Sequence, residues 1–336
     1  MSFLFLLYLL LNVETHCLVP ADIPFEGQLI YWQLNTDLTT FGGDVYDVFA
    51  WSDDEATALF RYTDSLGFAV NQERTQFIIS PDRVYLFETI NDEPRPLFKP
   101  SETWFFPQWT ANNRLVFNTT QNNEIIILNL DYPPNELPFL SDPFSWIQAT
   151  YEFPDVDSIF RPNLVEPAIY LSPDEQSVVL FVDNTIRLID LTTGEILWQA
   201  EDVHAQSIRW APDSSSFVYG TPELTHVTID GVMQTLSIIP ATTVRWSTNG
   251  RYIAYQIMTG NTSNELYIYD LQSQLSYDLC ITGNFIWDIV WSPDGDQFIY
   301  QQGNMIFLVD VNNFTYQTLS LPDTSYRFIL AWMRPQ

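Results

Sequence analysis

Histidine and cysteine, the side chains that most often supply catalytic bases, nucleophiles and metal ligands, are scarce in this 336-residue chain. The histidines are His16, His204 and His226, and none stands in an H-E-x-x-H pattern. The two cysteines, Cys17 and Cys280, form no C-x-x-C pair, and no G-x-S-x-G nucleophile segment occurs. We therefore predict no catalytic residue, no metal site and no cofactor.

Carboxylates are abundant, with 42 Asp and Glu against 13 Lys and Arg. Two carboxylates that face each other across a channel can hydrolyse a glycosidic bond, so a carbohydrate-cleaving protein is an alternative to a non-catalytic one. No pair of acidic residues stands out by position. Asp155 and Asp157 could offer oxygens to Ca²⁺, but they lack the glycine-containing loop of an EF-hand and are more typical of a solvated acidic turn.

The charge balance excludes one class of partner. The formal net charge is −29 and the pI is about 4.1, so the clustered cations that bind nucleic acid backbones are missing. Only 16% of the residues are charged and 46% are hydrophobic, which indicates a folded chain rather than an acidic disordered one. The acidity is typical of a soluble, exported protein and favours basic partners.

The N-terminus begins with an apolar run over residues 3–11, about half the length needed to cross a bilayer. Its length fits the core of a secretion signal, although no Lys or Arg precedes it. We expect residues 1–20 to be a signal peptide or N-terminal hydrophobic segment, the alternative being a buried strand or helix. The mature chain, residues 21–336, would be extracellular or periplasmic, with no integral membrane domain. It would hold one thiol, Cys280, and no disulfide framework.

Two markers recur along the chain. The first is a turn sequence that begins with a large apolar residue, at Trp109, Leu171, Trp210, Trp246 and Trp291, with a period of about 40 residues in the second half of the chain. The second marker is an Asp or Asn at the end of an alternating strand, at Asn129, Asp190, Asp230, Asp270 and Asp310. Each unit then reads as four short strands, because apolar runs alternate with clusters of Pro, Asp, Asn and Gly.

The turn chemistry is clearest after Trp291, where Pro293 presets φ, Asp294 caps backbone N–H groups and Gly295 accepts a positive φ. Trp-Ser-Pro-Asp-Gly, followed by an apolar strand and then an alternating strand that ends in Asp, resembles the repeat of TolB-type, WD-repeat-like β-propellers. The same repeat is found in propeller domains of prolyl-oligopeptidase relatives. The resemblance covers residues 166–333 and implies an all-β propeller of four-stranded antiparallel blades. It implies no activity, because this repeat serves unrelated functions.

Counting the large anchor residues, and taking Trp51 and Trp332 as further inner-strand ends, predicts about seven blades, with six or eight as alternatives. We expect a single domain over residues 21–336, closed by pairing of the N-terminal strand near Gln28 with the C-terminal strand that ends at Trp332. Two intervals are too long for plain repeats. We assign the extra residues to insertions near 63–83 and 131–166, both on one face of the ring.

The longer insertion is rich in aromatic residues. We expect it to form a lip that binds a protein or peptide partner, the alternative being that these rings pack on their own blades. A glycan is the alternative ligand, stacked on the aromatic rings, and the protein is expected to be a monomer. The predicted binding residues are Phe144, Trp146, Tyr151, Phe153, Phe160 and Arg161.

Overall fold

The computed structural model describes most of the chain as β-strands joined by tight turns. The described residues are 13–35, 45–52, 55–63, 67–80, 84–88, 94–98, 104–119, 124–130, 147–152, 169–182, 184–203, 207–220, 223–239, 241–258, 264–283, 286–321 and 327–335. Within these ranges no helix is long and apolar enough to span a bilayer.

Seven four-stranded antiparallel sheets form the blades of a β-propeller, as the repeat predicts. Strands are lettered A to D from the channel outward, and the inner strands of neighbouring blades contact each other around the ring. Blade 1 contains β6 (Gly67–Val70), β7 (Phe77–Ser80), β8 (Val84–Phe87) and β9 (Arg95–Phe98). Blade 2 contains β10 (Trp104–Trp109), β11 (Arg114–Thr119), β12 (Glu124–Asn129) and β13 (Ile147–Glu152). Blade 3 contains β14 (Ile169–Leu171), β15 (Ser177–Val182), β16 (Thr185–Asp190) and β17 (Ile196–Ala200).

Blades 4 to 6 follow the same order, and blade 7 combines the two ends of the chain. Blade 4 contains β18 (Ile208–Trp210), β19 (Ser216–Tyr219), β20 (Leu224–Thr228) and β21 (Met233–Ser237). Blade 5 contains β22 (Ala241–Trp246), β23 (Tyr252–Met258), β24 (Asn264–Asp270) and β25 (Leu275–Gly283). Blade 6 contains β26 (Ile286–Trp291), β27 (Gln297–Gln302), β28 (Met305–Asp310) and β29 (Thr315–Leu319). Blade 7 contains β30 (Arg327–Met333), β3 (Gln28–Leu34), β4 (Val45–Ser52) and β5 (Glu55–Thr63), in that order from the channel.

The core lies between adjacent blades, so the middle strands are apolar on both faces. In β15 the residues from 177 to 181 are all buried, and a strand covered on both sides reads as a continuous apolar run. The cluster between blades 5 and 6 joins Tyr252 and Leu266 of one blade to Trp291 and Phe298 of the next. Each blade therefore depends on its neighbours to bury its faces.

The ring closes where the sequence predicts. β3 pairs with β30 in antiparallel register, with Leu29 opposite Trp332 and Gln28 opposite Met333. The assignment of Trp51 to an inner strand is wrong, because Trp51 lies on β4, the third strand of blade 7, opposite Leu29. Blade 7 therefore takes one strand from the C-terminus and three from the N-terminus, which joins the two ends of the chain in one sheet and closes the ring.

The predicted insertion near residues 63–83 is likewise corrected. Gly67–Val70 and Phe77–Ser80, which resemble an added hairpin, are the A and B strands of blade 1. In blade 1 the large anchor residue of the other blades is replaced by Val70, so the sequence here lacks the first marker of the repeat. The interval from Trp51 to Trp109 contains the last strand of blade 7, all four strands of blade 1 and the inner strand of blade 2.

The interval at 131–166 is not a single connection either. β13 lies inside it and forms the D strand of blade 2, paired with β12. The residues before β13 connect strands C and D, and those after it connect to blade 3. Because the two connections leave β13 at opposite ends, the prediction that both insertions share one face is wrong.

An N-terminal belt, residues 13–23, runs across the outer edges of blades 5 and 6. β1 (Val13–Thr15) pairs parallel to β25, and β2 (Val19–Pro20) pairs parallel to β29. Between these strands Cys17 forms a disulfide with Cys280, with the Cα atoms 4.8 Å apart. Residues 13–20 are therefore part of the fold rather than of a leader that ends at residue 20, and the expectation of a single thiol is wrong.

An ion pair with a buried carboxylate supports blade 5. The Arg251 guanidinium donates to both carboxylate oxygens of Asp270 at 3.1 and 2.9 Å, and the Asp270 side chain is 4% exposed. Burial acts to raise the pKa of Asp270, but the hydrogen bonds from Arg251 and from the Gln272 backbone N–H outweigh it and lower the pKa below its ordinary value of 3.8. The carboxylate is therefore held in its charged form.

We expect Arg251→Gln to lower the free energy of unfolding at neutral pH by about 1–3 kcal/mol, since it leaves a buried carboxylate with fewer donors. The stabilisation from Asp270 is complete above pH 3.8 and is lost as the pH falls through the lowered folded pKa, so the difference between variant and parent should shrink in acid. Urea titrations at neutral pH and at an acidic pH well below 3.8 measure this. Arg61→Gln, at the more exposed Arg61–Asp47 pair, is the control and should cost less. An equal loss at the two pH values would contradict the assignment.

Candidate functional site

The repeat turns meet at one end of the channel. We call this end the A–B face, because the turns from strand A to B and from C to D lie there; the opposite end is the B–C face. In blade 6 the Ser292 hydroxyl donates to Asp294 and accepts the Gln297 backbone N–H at 3.0 Å, while Gly295 has a φ of +79°. Each such turn is a self-contained hydrogen-bonded unit, which explains its repetition.

The repeat aspartates at the C–D turns act in the same way. The carboxylate of Asp190 accepts the backbone N–H groups of Thr192 and Thr193 at 2.7 and 2.8 Å, and these hydrogen bonds, that of Thr193 first, lower its pKa. Asp310 accepts two backbone N–H groups, Asp270 accepts one, and Asp230 accepts the hydroxyl of Thr228. These carboxylates hold turns and are already committed to donors.

The repeat tryptophans join blade to blade. The indole N–H groups of Trp210, Trp246 and Trp291 donate to backbone carbonyls of the preceding inner strand at 2.9, 3.1 and 3.3 Å. The accepting residues are Tyr170, Arg209 and Arg245. Trp109 differs, since its N–H donates to Asn113 within its own turn. Trp210, Trp246 and Trp291 therefore connect neighbouring blades, which is a structural role.

Hydrogen bonds between turns narrow the channel at the A–B face. The Gln72 amide of blade 1 donates to the Pro212 carbonyl of blade 4 at 3.0 Å, so these two turns meet across the ring. Arg334, which follows β30, donates its backbone N–H to the Arg74 carbonyl at 2.9 Å. The turns are therefore positioned by one another as well as by their own blades.

A cavity of about 780 Å³ opens among these turns, and it is the candidate functional site. Its lining is rich in amides and hydroxyls, with Glu73, Asp294 and Arg334 as the charged members. Residues from blades 1, 2, 5, 6 and 7 contribute. The uncharged polar lining residues are Asn71, Gln72, Thr75, Gln76, Thr110, Asn113, Thr248 and Asn249.

The Asn71 turn shows how blade 1 builds its part of the cavity without the usual motif. The Asn71 side chain accepts the backbone N–H groups of Thr75 and Gln76 at 2.9 and 3.0 Å, as a serine hydroxyl accepts the equivalent N–H in blades 3, 5 and 6. Arg74 takes the positive φ, 59°, that glycine takes in blade 6. Burial lowers the pKa of Arg74 to about 10, which leaves the guanidinium charged at neutral pH. Blade 1 therefore has the geometry of the repeat turn without its sequence motif.

The predicted aromatic site is largely outside the described residues, which include neither Phe144 and Trp146 nor Phe153, Phe160 and Arg161. Tyr151 is described: it lies on β13 opposite Ile125 and is half-buried against the core between blades 2 and 3. Tyr151 therefore packs on its own blade. β13 separates the first two of the predicted residues from the last three along the chain.

The titratable groups of the described residues give little support to acid–base chemistry. Arg61 holds the pKa of Asp47 below its ordinary value, and Asp190 and Asp270 are shifted in the same direction, opposite to what a general acid needs. Burial lowers the pKa of His226, whose ring lies 5.9 Å from that of Trp246. In the described part of the chain no group of three His, Cys, Asp or Glu side chains could hold a metal ion.

A seven-bladed ring with a polar channel mouth defines the class of protein, and comparison with solved structures agrees. The C-terminal WD40 domain of Sif2 is similar over 94% of this chain and 88% of its own, with a TM-score of 0.52 and 10% identity. A chain of the mitotic checkpoint complex matches over 77% and 80%, with a TM-score of 0.51 and 10% identity. Hsv2 of Kluyveromyces lactis, with a complete loop 6CD, matches over 74% of each chain, with a TM-score of 0.50 and 13% identity.

No protein-family model and no curated protein matches the chain. At identities of 10–13% the likeness to solved structures establishes the fold alone. The chain is a seven-bladed β-propeller with WD40-type structural neighbours.

Proposed function

We propose that this protein is an exported, monomeric, non-catalytic propeller that binds a protein or peptide partner at the channel mouth of its A–B face. The observation that carries the proposal is the cavity of about 780 Å³, to which five blades contribute side chains. Its amides and hydroxyls can both donate and accept hydrogen bonds, as a peptide backbone requires. The Trp-Ser-Pro-Asp-Gly turns support assignment to the TolB-type subgroup of propellers.

Export is supported by two independent features. The Cys17–Cys280 disulfide is of a kind that persists in oxidising compartments, and the apolar run over residues 3–11 precedes it. The proposed location is extracellular or periplasmic. The net charge of −29 favours solubility there and favours a basic partner.

The test is a selection of peptide binders from a displayed random library, followed by affinity measurements on variants of the channel mouth. Glu73 is exposed and lines the cavity, so Glu73→Lys should weaken binding about tenfold or more by reversing a charge that faces the ligand. Glu124→Lys makes the same charge change at the start of β12, towards the B–C face, and is the matched control. Equal affinities for the parent and both variants would refute the channel mouth as the site.

A glycan is the second candidate ligand, since amide- and hydroxyl-rich cavities also suit sugar hydroxyls. The same variants on a glycan array separate the two classes. Binding of an oligosaccharide that is lost in Glu73→Lys, with no peptide selected, would replace the peptide proposal. Release of reducing sugars would make the protein an enzyme.

A further inference from the structure

The belt covers the outer edges of blades 5 and 6, whereas among the described residues no strand covers those of blades 3 and 4. On blades 5 and 6 the first residues of the D strands pair with the N-terminal belt, through Ser276 to Asp278 and through Thr315 and Tyr316. On blades 3 and 4 the D strands are β17 and β21, and among the described residues no strand pairs with their outer edges. Corresponding positions on four consecutive blades are therefore covered on two and open on two.

The open positions carry large apolar side chains. Ile196 and Leu197 at the start of β17 are 53% and 40% exposed. Val232, directly before β21, and Met233, its first residue, are 61% and 55% exposed. Trp198 of β17 lies against Gly231 in the turn before β21, so the starts of the two strands are neighbours. We call the four exposed residues Ile196, Leu197, Val232 and Met233 the rim patch.

The rim patch also lacks the features that protect other outer strands. β9 contains Arg95 and Pro96, and β5 contains Glu55 and Arg61, all of which discourage edge-to-edge pairing. β17 reads ILWQA and β21 reads MQTLS, with no charged residue and no proline. An unprotected apolar edge on a soluble protein marks a place for another strand.

Acidic residues surround the rim patch. Glu195 directly precedes Ile196, Glu201 and Asp202 follow β17, and Asp230 lies in the turn before Val232. The cation closest in register to β17 is Arg187, on β16 opposite Gln199. The charge around the edge is thus negative on balance, so it complements a cationic segment.

We propose that the rim patch of blades 3 and 4 binds an extended segment of a partner protein in which apolar and basic residues alternate. The segment adds a strand to the outer edge of β17, as the belt does on blades 5 and 6. It extends to the start of β21, which the contact between Trp198 and Gly231 holds next to β17. Its apolar side chains cover Ile196, Leu197, Val232 and Met233, and its basic side chains face the surrounding carboxylates. This surface is distinct from the channel mouth, so either proposal can fail without the other.

The test uses three synthetic decapeptides with the full-length protein: one alternating Val/Ile with Lys/Arg, one alternating Val/Ile with Glu, and the basic peptide N-methylated at alternate residues. We expect the basic peptide to bind at least about tenfold more tightly than either of the others, because the acidic peptide is repelled and N-methylation blocks strand pairing. Hydrogen exchange should slow at the backbone amides of β17. Equal binding of all three peptides, or no binding, would overturn the proposal.

Leu197→Lys and Met233→Lys should each reduce affinity for the basic peptide about tenfold, and both should fold normally because the changed side chains are exposed. Met305→Lys is the matched control: it places the same substitution at a residue 54% exposed on blade 6, and its affinity should stay within about twofold of the parent. Glu73→Lys should also leave this affinity unchanged. Self-association of the parent through the patch, detected by sedimentation and lost in Met233→Lys, would make the occupant a second copy and overturn the proposal.

Discussion

Replacing Trp332 with alanine is expected to lower the free energy of unfolding by about 3–5 kcal/mol, the largest effect of any single substitution proposed. Trp332 is 1% exposed on β30, the strand that closes the ring. Its indole N–H donates to the Glu26 carbonyl at 2.7 Å, and its ring stacks on Phe25 with centroids 4.9 Å apart. The substitution leaves a cavity and an unpaired carbonyl where the two chain ends meet.

Urea or guanidinium denaturation measures this loss. Trp332→Phe is the control, since it keeps an aromatic ring against Phe25 while it removes the N–H and part of the indole volume; it should lose less than the alanine variant. The loss matters because a whole domain is stable by only about 5–15 kcal/mol. A cost below about 1 kcal/mol for the alanine variant would show that closure does not depend on this contact.

Reduction of the Cys17–Cys280 disulfide is expected to lower the free energy of unfolding by about 2–5 kcal/mol. The bond joins residues separated by 263 positions, so it removes much of the freedom of the unfolded chain. It also holds the belt, whose strands are only three and two residues long. Without the bond these pairings should open, and the outer edges of β25 and β29 should become as accessible as the rim patch.

Denaturation with and without a thiol reductant measures the effect, and hydrogen exchange at β25 and β29 reports the release of the belt. The Cys17→Ser/Cys280→Ser variant is the control, since its stability should match the reduced protein and ignore the reductant. In cells, both thiols should resist alkylation until reduced, as the proposed export requires. Alkylation of either cysteine without reduction would contradict export.

The turns of the repeat are the part of the fold that local sequence specifies. Ser292, Asp294 and Gly295 satisfy one another's hydrogen bonds and dihedral angles within a few residues, so the pattern is readable without any tertiary contact. That is why the turns of blades 2 to 6 could be predicted. The count of seven blades is correct only because two errors cancel: Trp51 is not the end of an inner strand, and the inner strand of blade 1, which ends at Val70, has no anchor of the repeat type. The same logic failed at blade 1, where Asn71 and Arg74 build an equivalent turn from different residues.

Strand partnership required the tertiary structure. Trp51 is an aromatic residue at the end of an apolar strand, as the anchors are, and only its pairing with Leu29 assigns it to the third strand of blade 7. The aromatic interval near Tyr151 looked like one loop because nothing local marks β13 as the D strand of blade 2. Such errors arise because side chains alternate with a period of two in every strand. The apolar pattern therefore does not identify the neighbouring strand with which a given strand pairs.

Contacts between residues far apart in the chain could not be predicted either, because local sequence does not identify a distant partner. No spacing rule pairs Cys17 with Cys280, or places the Gln72 turn against Pro212 across the channel. Likewise, Leu197 and Met233 resemble any core residues of alternating strands until the position of the belt shows which edges are covered. Local chemistry specifies the repeating unit, whereas the order of the strands and the exposed surfaces arise only when the units pack together.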